Sequence, residues 1–233
     1  MQPELQPNTS AYQIPAQDIA LQQQKVLRNT YLLLALTMAP TVIGAFIGMS
    51  TGGIIMKHPI VSSLVMIAAI IGLQYAIAAN RDSGIGVVLL LGMTFLLGWW
   101  LGPLLTIALT LKNGPQLVGF AAAGTGTVFF VMAGIAVTTK RDFSFMGKFL
   151  FVGMIVLLIA LVANMFLQIP ALALTISALV IVVFSLFLLH DLSRIVNGGE
   201  TNYIMATTGV YMSLFNIFAN LLQLLMALSG EKD

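Results

Sequence analysis

DLSRIVNGGETNYIMATTGVYMSLFNIFANLLQLL, residues 191–225, is the stretch that decides how this chain folds. It leaves an apolar run at Asp191, turns at Gly198 and Gly199, and returns as a segment in which Ser213, Asn216, Asn220 and Gln223 recur at spacings of three, four and three. Those spacings place the four polar side chains on one face of a helix. In water such a face is an ordinary solvated surface. In a bilayer each unpaired amide or hydroxyl costs free energy against hydrocarbon, so the stripe is expected to turn toward other helices. The last helix is therefore expected at the centre of a bundle.

Composition makes the bilayer the relevant solvent. Of 233 residues, 59% are hydrophobic and 8% charged, too few polar groups to cover a water-soluble globule. Seven apolar segments, each near the roughly 20 residues that cross a membrane, are expected at about 30–49, 59–79, 85–101, 116–138, 146–167, 171–189 and 203–228. The fold class is thus all-α, a polytopic bundle of seven transmembrane helices with six around the C-terminal one. The third segment is the least regular, because Pro103 interrupts an apolar run that continues to Leu111. Its Trp99 and Trp100 then fall near a span end, where indoles anchor at the interface. The connections are short, so successive spans run antiparallel.

Three regions follow: a mostly disordered tail over 1–29, a membrane domain over 30–228 and a short tail over 229–233. The first is rich in Gln, carries Pro3, Pro7 and Pro15, has helical composition from about Ala16 to Gln24, and lacks the apolar core of a signal peptide. With the N-terminus cytoplasmic, Lys25, Arg28, Arg81, Lys140, Arg141, Lys148 and Arg194 lie inside, and Lys57, Lys112 and Lys232 lie outside. This asymmetry is the positive-inside pattern. It leaves the C-terminal tail outside.

Few residues could carry chemistry. Asp191 is the acidic side chain nearest membrane depth. Arg194, three positions on, shares its helical face and is the expected ion-pair partner, whereas His190 diverges from it by about 100°. Turned inward against the last helix, Asp191 would be disfavoured in its charged form and so respond to protons. Asp191, Ser213, Asn216 and Asn220 are accordingly the candidates for a proton-sensing or polar path. Asp142, ahead of an apolar run, is a candidate helix cap, as are Ser144, Thr201 and Asn202. Gln74 and Asn164 are expected to make interhelical hydrogen bonds. In the fourth span, FAAAGTGT (120–127) pairs Ala122 with Gly126 and Ala121 with Thr125 for close packing. There is no Cys, neither His58 nor His190 is mid-span, and a second carboxylate to pair with Asp191 is lacking. Intramembrane serine or aspartyl proteolysis, metal sites and bound cofactors are therefore not expected.

RNTYLLLALT, KRDFSFMGKFLFVG, VANMFLQIPALALTISA, DLSRIVNGGETNYI and YMSLFNIFANLLQLL together resemble the Bax inhibitor family of seven-span membrane proteins, and within it the bacterial YccA branch. The resemblance covers about residues 25–228. It implies six spans around a central seventh and a cytoplasmic N-terminus. For the YccA branch it implies an inner-membrane partner of FtsH, the membrane-anchored ATP-dependent protease, with the N-terminal tail as handle. For other members it implies a pH-sensitive calcium leak using two carboxylates; Asp191 matches the first, and the second falls at Ser213.

Overall fold

The computed structural model describes residues 16–139 and 141–230, and among these every regular element is a helix. The extreme tails, and any handle within residues 1–15, lie outside the described residues. The elements are α1 (Ala16–Thr51), α2 (Gly53–Lys57), α3 (Pro59–Ala79), α4 (Gly84–Thr110), α5 (Gly114–Thr139), α6 (Met146–Leu167), α7 (Pro170–Val196) and α8 (Tyr203–Gly230). Seven of the eight, all but the five-residue α2, are long and apolar enough to cross a membrane.

α1 is longer than its apolar run. Its 36 residues extend about 54 Å at 1.5 Å per residue, against about 30 Å of hydrocarbon. Helix therefore continues without a break from the polar stretch at Ala16 into the span. α4 also outruns its expected limit, passing through Pro103 to Thr110. The proline removes one i→i−4 bond, from the carbonyl of Trp99, yet neighbouring helices cover the gap, as transmembrane helices allow. Trp99 consequently lies mid-helix, where its Nε1 donates to Thr51 Oγ1 at 2.7 Å. Trp100 lies against the main core.

The closest helix pair is α1 with α4. Gly44 and Gly48 face Gly98 and Gly102 so tightly that a Cβ at Gly48 would collide with the Trp99 carbonyl, and one at Gly102 with the Gly48 backbone. Two G-x-x-x-G patterns, 44–48 and 98–102, let the backbones meet where apolar lipid offers no hydrophobic drive for association. The expected packing motif on α5 is only partly used. Ala121 and Thr125 are buried, whereas Ala122 is exposed and nothing lies within 4 Å of a Cβ placed at Gly126.

α8 is buried on two faces. Ile204, Thr207, Thr208 and Tyr211 form one; Ala206, Val210, Ser213 and Ile217 form another, about 140° away at 100° per residue. α8 packs against α1, α3, α4, α5 and α7, while α6 packs on α7. The contacts thus put five helices against α8, not the expected six. The outer surface carries large apolar side chains such as Val88, Phe130 and Phe149, as a lipid-facing surface should.

Candidate functional site

The connections α3–α4, α5–α6 and α7–α8 meet at one end of the bundle, around the carboxyl-terminal turn of α7. Gly198, at φ 74°, reverses the chain there, a left-handed conformation that glycine adopts without strain. The amides of Gly199 and Glu200 return to the Arg194 carbonyl at 2.8 and 3.1 Å. This hairpin brings Glu200 to Arg194, whose Nη2 donates to Glu200 Oε2 at 3.1 Å and to the Gly199 carbonyl at 3.2 Å. Arg194 is therefore not the partner of Asp191, because a cation at a helix C-terminus finds both the exposed carbonyls and the returning carboxylate beyond it.

From this turn hydrogen bonds reach both neighbouring connections. Asn202 Oδ1 accepts from the amides of Ile204 and Met205 at 3.0 and 3.1 Å, capping α8, and its Nδ2 donates to the Arg81 carbonyl and to Asp82 Oδ1, both at 2.9 Å. Ser193 Oγ and Asn197 Nδ2 donate to the Arg141 carbonyl at 2.9 and 3.1 Å. Asp142 accepts from the Ser144 amide at 2.8 Å, which closes the turn ahead of α6 and does not cap the helix itself; Phe145 holds the cap position without a side-chain bond. The hydrogen bonds from Ser144 hold the Asp142 carboxyl below its ordinary range. Gln23 lies over Gly198, so the polar start of α1 rests on the same turn, with a cleft of about 430 Å³ beside it.

Asp191 sits deeper, half-buried, with Oδ2 toward Gly209 of α8, where a Cβ would lie 2.6 Å from it. Its Oδ1 accepts from His190 Nδ1 at 3.1 Å. The 100° divergence of adjacent helical residues sets where Cβ atoms point, and a short carboxylate and a ring nitrogen still close that gap. His190 in turn lies against Gly147, 2.8 Å from where its Cβ would be.

Asp191 and Ser213 line one cavity of about 370 Å³ bounded by α3, α6, α7 and α8. Asn216 and Asn220 are not among its lining residues: they are half-buried, and their amides donate back to the carbonyls of Met212 and Asn216 at 2.8 and 2.9 Å. An asparagine side chain on a helix can satisfy its donor one turn back, so the polar stripe needs no path to be stable. Gln74 also opens onto the cavity, and Asn164 bonds the Ile169 amide locally at 3.1 Å, so neither bridges helices as expected. Among the interhelical bonds that sequence reasoning missed is that of Tyr211, fully buried, with its hydroxyl 2.8 Å from Thr41 Oγ1.

The arrangement is that of a polytopic helical membrane protein with most of its described ionisable side chains, and three hydrogen-bonded connections, at one end of the bundle. Residues 23–230 match the family described as "Inhibitor of apoptosis-promoting Bax1", and the chain belongs to this Bax inhibitor family. It is 40% identical over 205 residues to a protein of Escherichia coli K12 named "Modulator of FtsH protease YccA", covering 88% of this chain and 91% of that one. A membrane protein of Vibrio cholerae is also 40% identical over 205 residues, with 88% and 90% covered. A protein of Campylobacter jejuni is 32% identical over 206 residues, with 88% and 89% covered.

Proposed function

We propose that this chain is an inner-membrane regulatory protein, with its N-terminus cytoplasmic, that associates with the FtsH protease and restrains it. The observation that carries this reading is the 40% identity, across nearly the whole of both chains, to the relative named as a modulator of that protease. The geometry supplies a physical rationale. A protease that pulls membrane proteins from a cytosolic end needs a handle, and α1 runs in one piece from Ala16 to Thr51. Tension on that handle loads the helix set closest to its neighbour, through Gly44 and Gly48 on α4, and through Thr41 on Tyr211 of α8. Several helices would have to separate before any could leave. Lys25, Arg28, Arg81, Arg141 and Arg194 fall at the handle's end of the bundle, which favours the cytoplasm for that end.

The test is co-purification of FtsH with the full chain and with a chain lacking residues 1–24, both extracted in mild detergent. The reading expects association with the full chain and its loss on truncation. Failure of the full chain to associate overturns the reading. The Asp191 cavity favours one further reading, a proton-sensitive calcium leak, which expects calcium flux into proteoliposomes that is lost in Asp191→Asn. In that reading Ser213, opposite Asp191, stands where the second carboxylate is expected.

A further inference from the structure

The cavity beside Asp191 has features that proteolytic restraint does not use. α3 and α6 form no packed interface with one another, yet Gln74 of α3 and Phe151 and Met154 of α6 line the same space. Its back is made by α7 and α8, including Phe184, Phe187 and Met212. A space bounded by two helices that do not close on each other opens sideways, and Phe151 and Gln74 at its edges are exposed. Beside it, Phe149 of α6 and Tyr75 of α3 are 76% and 75% exposed on the surface that faces hydrocarbon. What enters by this route comes from the bilayer.

The lining is graded. Arg194 and Glu200 stand at the basic end, Asp191 one helical turn further in, and Phe187 and Phe184 below it. Phe184 lies seven residues before Asp191, about 10 Å along the helix axis. An occupant must therefore be apolar toward the membrane centre and polar at the surface. The polar groups specify its charge. Asp191 Oδ1 is engaged by His190, whereas Oδ2 takes no hydrogen bond from a described residue. Arg194 spends Nη2 on Glu200 and Gly199, leaving its other donors free of described partners. A free carboxylate oxygen and free guanidinium donors, one helical turn apart, match an ammonium and a phosphate on one molecule.

We infer that the cleft between α3 and α6 is a binding site for an aminophospholipid of the phosphatidylethanolamine type. The primary ammonium meets Asp191, the phosphate meets Arg194, and one acyl chain lies along Phe187, Phe184, Phe151 and Met154. The volume of about 370 Å³ lies within the range of small-molecule sites, enough for part of a chain and not a whole lipid. A choline headgroup carries the same charge but has no N–H to donate, so the site discriminates by hydrogen bonding.

The experiment is native mass spectrometry of the full chain, in detergent supplemented with equal amounts of phosphatidylethanolamine, phosphatidylcholine and phosphatidylglycerol. Phosphatidylethanolamine is expected to be retained about tenfold over phosphatidylcholine, the worth of one charge-assisted hydrogen bond. Asp191→Asn is expected to abolish that preference. Met154→Trp, which fills the cleft from its open side and leaves the polar groups in place, is expected to reduce retention with unchanged thermal unfolding. Equal retention of the three lipids overturns the proposal, as does a preference that survives Asp191→Asn. Displacement of the lipid by free phosphoethanolamine at equal concentration would show that the acyl chain contributes nothing, and would overturn it too.

Discussion

At Tyr211 three helices share one hydroxyl, since its oxygen lies 2.8 Å from Thr41 Oγ1 of α1 and 3.4 Å from the Thr94 carbonyl of α4. Thr41 keeps a second bond to the Thr37 carbonyl, so Tyr211→Phe leaves no donor stranded. It is expected to lower stability by about 1 kcal/mol, read as the shift in a reversible denaturation midpoint in micelles. Asp142 offers a test by pH. Its carboxyl is held below the ordinary range by Ser144, so its contribution to the α5–α6 turn is complete above the unfolded carboxylate range and is lost only as pH falls through the lowered folded value. Hydrogen exchange at the Ser144 amide should show constant protection down to the ordinary carboxylate range and a decline below it, and Asp142→Ala should remove the protection at every pH. The sequence marked Asp142 as a cap for α6, and the structure instead has it close the turn two residues on, because the helix starts only after Phe145. The pairing of Arg194 with Glu200 was not legible in the sequence, because helical spacing carries Arg194 toward Asp191 and only the left-handed turn at Gly198 brings Glu200 back.

Among elements, the α1–α4 contact is the one that substitution can probe most sharply. A side chain at Gly48 or Gly102 meets backbone, which cannot rotate away, so Gly48→Leu is expected to cost at least about 3 kcal/mol or to prevent assembly. Gly126→Leu adds the same volume where nothing lies within 4 Å, and should change the denaturation midpoint by no more than about 0.5 kcal/mol. Equal effects of the two would remove the α1–α4 contact from its place in the fold. The seven spans could be read from the chain because apolar length alone defines them. Their partners could not. Small residues at four-residue spacing occur on α1, α4 and α5 alike, and spacing does not say which of these faces a helix and which faces lipid. Pro103 left the reading open for a related reason: it forecasts a lost hydrogen bond, but whether the helix ends there or runs on, as it does to Thr110, depends on neighbours that cover the gap.

For the whole molecule, the polar stripe on the last helix meets its neighbours only in part: Gln223 Oε1 accepts from Ser177 of α7 at 3.4 Å, Asn216 and Asn220 bond one turn back on α8, and further bonds to other helices run through Thr207 and Tyr211. Asp191 and Ser213, which the family resemblance aligns with the two carboxylates of other members, both line the cavity. The cavity itself could not be read from the sequence, since it depends on α3 and α6 failing to meet. The larger consequence is mechanical. In the proposed reading, a chain gripped ahead of α1 would resist extraction, because α1 is locked to α4 and bonded to α8. The most direct test is the half-life of a labelled membrane substrate in proteoliposomes containing FtsH, ATP and either the full chain or a chain lacking residues 1–24, each shown to be folded by its denaturation midpoint. The account predicts that the full chain prolongs the half-life and the truncated chain does not; equal prolongation by both, or by neither, would contradict it.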